Sequence, residues 1–269
     1  MDKINLKGLK IFANHGVLAQ EKENGQEFVI DLTIFTKTRE AGLLDDLNKT
    51  INYAELSLYV NEVFKEKTFD LIEAASEYLA QKILVKFYPV KGIELVVHKP
   101  QAPIEVPFED VSVTIKREWH RAYIAVGSNL GDSRAIIRNG IDELAAYEDI
   151  VLLKESSLID TKPYGVEDQP DFVNGMIEID TLLDPYELLY RIHEVEASNK
   201  RERLTHWGPR TLDLDIIYYD ELVMRSKDLT IPHADMQYRS FVLKPLREIN
   251  PYKEHPVTKL TADEMIKRL

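Results

Sequence analysis

The sequence predicts an α+β protein of two domains, residues 1–119 and 120–269. Three observations carry this. A length of 269 residues is one large domain or two small ones at about 150 residues per domain. The first half alternates apolar and polar residues like an antiparallel sheet, interrupted by two helical patterns, in the order β-β-α-α-β-β. The second half reads β-α-β-β-α-β, the ferredoxin-like order. The pattern changes near Trp119–Arg121 with almost no linker, which places the boundary there.

In the first half, residues 3–12 form a candidate strand, and Phe28, Ile30, Leu32 and Ile34 share one face of a second. Asn52 and Glu55 make a capping box ahead of Leu56, Tyr59, Val60, Val63 and Phe64. Asp70 is placed to cap a second helix that turns Leu71, Ile72, Ala75, Tyr78, Leu79 and Ile83 inward. Strands follow at 93–97 and 111–115. Four strands with both helices on one face leave two open edges, so pairing with another subunit is expected.

In the second half a strand at 122–127 precedes a helix at about 133–147 with Ile136, Ile137, Ile141 and Leu144 inward. Strands follow at about 151–159 and 172–180. Asp184, Pro185 and Glu187 supply an N-cap, a first-turn proline and a box partner for the next helix. A strand at about 212–219 comes next, then a tail of loops and a last helix boxed by Thr261 and Glu264.

Composition narrows the function. There are no cysteines, which excludes disulfides, zinc-thiolate sites and cysteine nucleophiles and suits a reducing, cytoplasmic setting. A net charge of -12 argues against a nucleic-acid or anionic-membrane surface as partner. The first sixteen residues hold no apolar core of signal-peptide length, and no apolar run reaches the roughly 18 residues of a membrane span.

The strongest local chemistry is the run His206 to Ile216. On a strand, Asp213 and Asp215 face one way, Cα atoms about 6.6 Å apart, while Leu212, Leu214 and Ile216 face a core. Two carboxylates with oxygen donors suit a hard cation, and Lys200, Arg201, Arg203 and Arg210 lie just before them to clamp phosphate oxygens. The same spacing also describes an exposed strand face paired with arginines. Gly127 to Asp132 resembles a nucleotide loop but lacks the Walker ending, and a plain strand-to-helix turn fits it. Pro163, Gly165, Gln169 and Pro170 mark an irregular loop, a candidate lid. In the first half, Tyr53, Glu73 and Lys99 stand at the starts of helices and the end of a strand; each also has an ordinary structural reading.

The second half resembles hydroxymethyldihydropterin pyrophosphokinase. The matching residues are Tyr123-Ile-Ala-Val-Gly-Ser-Asn129, Asp168-Gln-Pro-Asp-Phe-Val-Asn174, Arg201-Glu-Arg203, Trp207-Gly-Pro-Arg-Thr-Leu-Asp-Leu-Asp215 and Pro232-His233. The resemblance implies pyrophosphoryl transfer from ATP to a pterin hydroxymethyl group, releasing AMP. It implies two magnesium ions on Asp213 and Asp215. ATP would be held by Glu196, Arg201, Arg203, Trp207, Arg210, Ile216, His233 and Arg239, with Arg201 and Arg210 catalytic. The pterin would be held by Thr161, Pro163, Tyr164, Phe172, Asn174 and Phe241. Lys162, His206 and Ala234 depart from the residues common in that family.

The first half is similar to dihydroneopterin aldolase through Leu6-Lys-Gly-Leu9, His15-Gly16, Glu21, Gly25-Gln26, Asn52-Tyr53, Leu71-Ile-Glu73, Lys99-Pro100 and Ala102-Pro-Ile104; Glu105 follows where proline is frequent. This resemblance implies a tunnelling-fold-like, ring-forming homo-oligomer and a retro-aldol cleavage without a cofactor. Lys99, Tyr53 and Glu21 would be catalytic, and Glu73, Ile72 and Tyr53 would bind the pterin. The substrates implied are dihydroneopterin, hydroxymethyldihydropterin and ATP. The alternative is a pyrophosphokinase whose first half is a scaffold without catalysis.

Overall fold

The computed structural model describes residues 1–163, 169–199 and 211–269 and divides into two compact units, Met1–Trp119 and His120–Leu269. The first unit is a four-stranded antiparallel sheet in the order β1-β2-β3-β4. Its strands are β1 (Asp2–Ala13), β2 (Gln26–Thr36), β3 (Gly92–His98) and β4 (Ser112–Glu118), so β1 and β4 are the end strands. The alternation of β2 is what builds the core. Phe28, Ile30, Leu32 and Ile34 are buried with Ile93, Leu95 and Val97 of β3. Against them pack α3 (Tyr53–Glu66), through Leu56, Val60, Val63 and Phe64, and α4 (Ile72–Lys86), through Ala75, Leu79, Ile83 and Leu84.

Asn52 caps α3 by accepting from the Ala54 and Glu55 N–H groups. Asp70 does not cap α4. The N-cap is Leu71, without a side-chain bond, because the Asp70 carboxylate is drawn 2.5 Å from Lys22. Leu71, expected inside, is exposed. Two short helices, α1 (Ala19–Asn24) and α2 (Arg39–Leu44), were not expected.

The second unit has an antiparallel sheet in the order β6-β8-β5-β9, the strand order of a ferredoxin-like domain. Its strands are β5 (His120–Ser128), β6 (Ile150–Glu155), β8 (Phe172–Thr181) and β9 (Asp213–Tyr219). The single strand expected at 151–159 is instead β6 and a short β7 (Ile159–Thr161), both paired to β8, with a register shift between Leu152 and Lys154. Helices α5 (Ser133–Ala145) and α6 (Pro185–Ser198) cover one face, where Ile124, Val126, Ile137, Ile141, Leu188 and Ile192 pack together. Asp184 and Glu187 form the expected box at α6. A small ribbon, β10 (Met224–Arg225) with β11 (Thr230–Ile231), follows β9.

The other face is covered by α7 (Ser240–Ile249) and the boxed α8 (Ala262–Ile266), where loops alone were expected before the last helix. Val242, Leu243 and Leu246 of α7 pack on Tyr123, Met176, Ile217 and Tyr218. Beside them, β8 buries two carboxylates. Arg121 binds Glu178 and lies 2.7 Å from Asp180, Lys154 lies 3.1 Å from Glu178, and Tyr123 donates to Glu178. Arg121 is itself partly exposed, and Lys154 and Tyr123 stay beside Glu178 without it, so its loss removes charge-assisted hydrogen bonds and does not strand a carboxylate. Arg121→Met is therefore expected to cost about 2 kcal/mol, read as a lower urea midpoint for the second unit.

Candidate functional sites

In the first unit, β3 delivers Lys99 and α1 delivers Glu21 to one buried point, with Lys99 Nζ 2.5 Å from Glu21 Oε1. The backbone around Lys99 is fixed: its N–H donates to Val111 O at 2.7 Å, and its carbonyl accepts from the Ala102 N–H. Glu21 also accepts from Gln26 Nε2 at 3.1 Å and from the Leu18 N–H at 3.0 Å. Burial pushes the Glu21 carboxyl up, but the bonds from Lys99, Leu18 and Gln26 outweigh it and hold the group below its ordinary value. Gly16 makes room for this carboxylate, since a Cβ there would lie 2.3 Å from it.

The other expected aldolase residues are not in that contact. Tyr53 opens α3 and is 67% exposed. Glu73 lies exposed in the first turn of α4, where the free N–H groups favour a carboxylate. Ile72 is buried, so its side chain belongs to the core. Neither Tyr53 nor Glu73 hydrogen-bonds or ion-pairs with Lys99 or Glu21 among the described residues. Gln26, buried and bonded to Glu21, received no role from sequence reasoning; its one signal was its place in the Gly25-Gln26 pair.

In the second unit the sheet sets three residues side by side. Asp213 of β9 is opposite Gly127 of β5, and Gly127 is opposite Asn174 of β8. Cross-strand partners share a face, so the carboxylate strand and the Asn174 amide lie on one surface, about 10 Å apart across two strand spacings. The glycine is needed: a Cβ at Gly127 would lie 2.9 Å from Asn174 Oδ1. Asn174 Nδ2 donates to Thr161 Oγ1 at 2.7 Å, and Thr161 is the cross-strand partner of Phe172. Buried Asn129 reaches Gln169 Oε1 and Pro170 O, each at 3.2 Å. Asp132 caps α5 through the Ala135 N–H. Lys162 lies 2.8 Å from Asp171, an exposed pair that contributes little.

Asp213 and Asp215 are half-buried on that surface, while Leu214 and Ile216 point into the α5–α6 core. The donor set is two carboxylates on one strand face, which fits a hard cation whose remaining ligands come from a substrate. Glu196, expected beside a nucleotide, is buried behind the strand, and its Oε1 accepts from the Leu214 N–H at 2.8 Å. It holds the backbone between the two aspartates on the end strand. Ile216 is 4% exposed in the core, so only its backbone is placed to reach a ligand. His233 sits beside β9 through its N–H to Ile217 O at 3.1 Å, and its Nδ1 accepts from the Asp235 N–H. Arg239 lies 3.1 Å from Asp235, its guanidinium 5.9 Å from the Phe241 ring. Phe241 and Pro163 are half-buried, and Ala234 is exposed. Tyr164, Gly165, Asp168, Lys200, Arg201, Arg203, His206, Trp207 and Arg210 lie outside the described residues.

Two families match this chain: 7,8-dihydro-6-hydroxymethylpterin-pyrophosphokinase over residues 123–251 and dihydroneopterin aldolase over residues 4–116. A folic acid synthesis protein of Pneumocystis carinii is 31% identical over 279 residues, 97% of this chain and 37% of its own length. The chain thus spans little more than a third of that relative. A 2-amino-4-hydroxy-6-hydroxymethyldihydropteridine pyrophosphokinase of Bacillus subtilis is 40% identical over 143 residues, 53% of this chain and 86% of its own length. The crystal structure of E. coli dihydroneopterin aldolase with neopterin is 25% identical and covers 44% of this chain and 99% of its own, with a TM-score of 0.40. The second unit therefore belongs to the 7,8-dihydro-6-hydroxymethylpterin-pyrophosphokinase family, and the first is a dihydroneopterin aldolase domain fused ahead of it.

Proposed function

We propose that the chain catalyses two consecutive steps of folate biosynthesis. The first unit cleaves dihydroneopterin to hydroxymethyldihydropterin and glycolaldehyde, and the second transfers a pyrophosphoryl group from ATP to the new hydroxymethyl group, releasing AMP. The buried Lys99–Glu21 pair carries the reading that the first unit is catalytic. A buried ion pair contributes little to stability that apolar residues would not match, so a mere scaffold has no use for one. In the cleavage, a proton leaves the side-chain hydroxyl beside the bond that breaks, and the bond's electrons pass into the ring C=N as an enamine. Reprotonation at the side-chain carbon gives the hydroxymethyl product. The ring is the electron sink, so Lys99 needs no Schiff base and moves protons together with Glu21 and Tyr53. Glu73 holds the amidine edge of the pterin, with Ile72 supporting it. Exposed Tyr53 and the open strands β1 and β4 favour a homo-oligomer with sites shared between subunits.

In the second unit, Asn174 and the backbone of the loop carrying Thr161, Pro163 and Tyr164 read the pterin edge, with Phe172 and Phe241 stacking on its faces. Arg201, Arg203, Trp207, Arg210, His233 and Arg239 hold and orient the triphosphate, and Glu196 and Ile216 support the strand beneath it. Asp213 and Asp215 would hold two magnesium ions, which when bound neutralise charge developing on the phosphate chain. The aldolase step uses no cofactor. No described helix is long and apolar enough to cross a membrane, and the proposed location is the cytoplasm. Incubation with dihydroneopterin, ATP and magnesium is expected to yield glycolaldehyde and AMP, assayed separately. Glycolaldehyde absent while AMP forms from added hydroxymethyldihydropterin would leave the scaffold alternative; neither product would end both readings.

A further inference from the structure

Two segments of the first unit are joined along their length, and His15 is at the centre of the junction. One segment runs from His15 to Glu21. The other leads through Phe69 and Asp70 into Ile72 and Glu73. The Phe69 N–H donates to His15 Nδ1 at 3.2 Å. The ring proton is therefore on Nε2, which donates to Phe64 O at 2.9 Å. Phe64 is in the last turn of α3, where helix carbonyls lack intrahelical partners. The Gly16 N–H donates to Phe69 O at 2.9 Å, and Lys22 lies 2.5 Å from Asp70. Gly16 itself lies against the Glu21 carboxylate.

The imidazole is 1% exposed, among the rings of Phe28, Phe64 and Phe69 at centroid distances of 5.4, 4.6 and 5.7 Å. An aromatic hydrocarbon would pack there as well. What it could not do is satisfy a carbonyl on one side and an N–H on the other, and a buried polar group without a partner is costly.

We propose that His15 is a positioning residue for the aldolase step. Its ring fixes Phe69, and through it the start of α4, against the loop that seats Glu21. The pterin anchor Glu73 and the Lys99–Glu21 pair then hold one geometry. This deepens the aldolase reading above and rests on it. Substrate binding needs Glu73 in place before any chemistry, so loosening the junction acts on KM more than on kcat.

The test uses the full chain with His15→Phe, which keeps a ring and loses both bonds, and His15→Asn, whose Oδ1 can take the place of Nδ1 toward Phe69. The readouts are KM and kcat for dihydroneopterin and amide hydrogen exchange over residues 69–73. His15→Phe is expected to raise KM about tenfold, the part of the two lost hydrogen bonds that reaches Glu73 being worth about one of them, with a smaller change in kcat and faster exchange at 69–73. His15→Asn should return KM to within about threefold of the parent and slow the exchange again. KM unchanged in both variants, or His15→Asn no better than His15→Phe, overturns the proposal. If the parent chain does not cleave dihydroneopterin, the aldolase reading fails, and exchange alone then decides whether His15 fixes the start of α4.

Discussion

Lys99→Ala is expected to lower the aldolase rate by about a hundredfold or more, the usual scale for a positioned proton-transfer group, while the pyrophosphokinase step keeps its rate. The amine lies in a nearly closed setting: both it and Glu21 are 9% exposed, and Lys99 supplies the first of the hydrogen bonds that hold the Glu21 carboxyl low. Its removal does two things. In the proposed mechanism it takes away a group that moves protons, and among the described residues it leaves Glu21 with Gln26 and the Leu18 N–H against the cost of burial, so the carboxyl becomes easier to protonate. A decline in aldolase rate as the pH falls should therefore begin at higher pH in this variant than in the parent. Glu21→Gln is the companion: it keeps the shape and the amide can still meet Gln26, but it removes the carboxylate. Stopped-flow detection of glycolaldehyde with both variants, beside AMP formation from added hydroxymethyldihydropterin, checks the result. Aldolase activity that survives Lys99→Ala intact would move the chemistry to other residues.

Much of this arrangement is legible in the sequence because its determinants are local. The face of Phe28, Ile30, Leu32 and Ile34 follows from a period of two, and the same period puts Asp213 and Asp215 on the surface with Leu214 and Ile216 inside. The caps at Asn52, Asp184 and Thr261 are bonds within three residues, and all three form. What escapes the sequence depends on distant partners. Asp70 has the position of a cap, but Lys22 of α1 takes its carboxylate, and no local rule weighs that competitor. Helix α7 has a sound apolar stripe in Val242, Leu243, Leu246 and Ile249, yet Pro245 within it reads as a break. The bond from the Leu214 N–H to Glu196 spans 18 residues of sequence and needs α6 packed behind an end strand. Gly127 looks like a turn glycine, and only the pairing of β5 with β8 shows that the Asn174 amide uses the space.

Asp213→Ala is expected to lower the pyrophosphokinase rate by about a hundredfold or more, as loss of one electrostatic element in phosphoryl transfer typically does, and to leave the aldolase rate unchanged. Two features make the effect local. Asp213 is half-buried on the sheet face opposite the core that Leu212, Leu214 and Ile216 form, so truncation leaves no apolar cavity in that core. The backbone beneath it is held independently, by the ladder to Gly127 and by Glu196 at Leu214. A carboxylate on this surface disfavours an approaching triphosphate unless a cation stands between them. The variant should therefore bind ATP with less dependence on magnesium than the parent, whether or not it turns over. Equilibrium binding of ATP with and without magnesium measures this apart from catalysis. EDTA should stop the pyrophosphokinase step in the parent chain and spare the cleavage of dihydroneopterin, because in the proposed mechanism the first unit moves protons through Lys99, Glu21 and Tyr53 without a metal. Should Asp213→Ala or EDTA abolish the aldolase step in a protein that remains folded, the two reactions would share a centre, and the assignment of one reaction to each unit would be wrong.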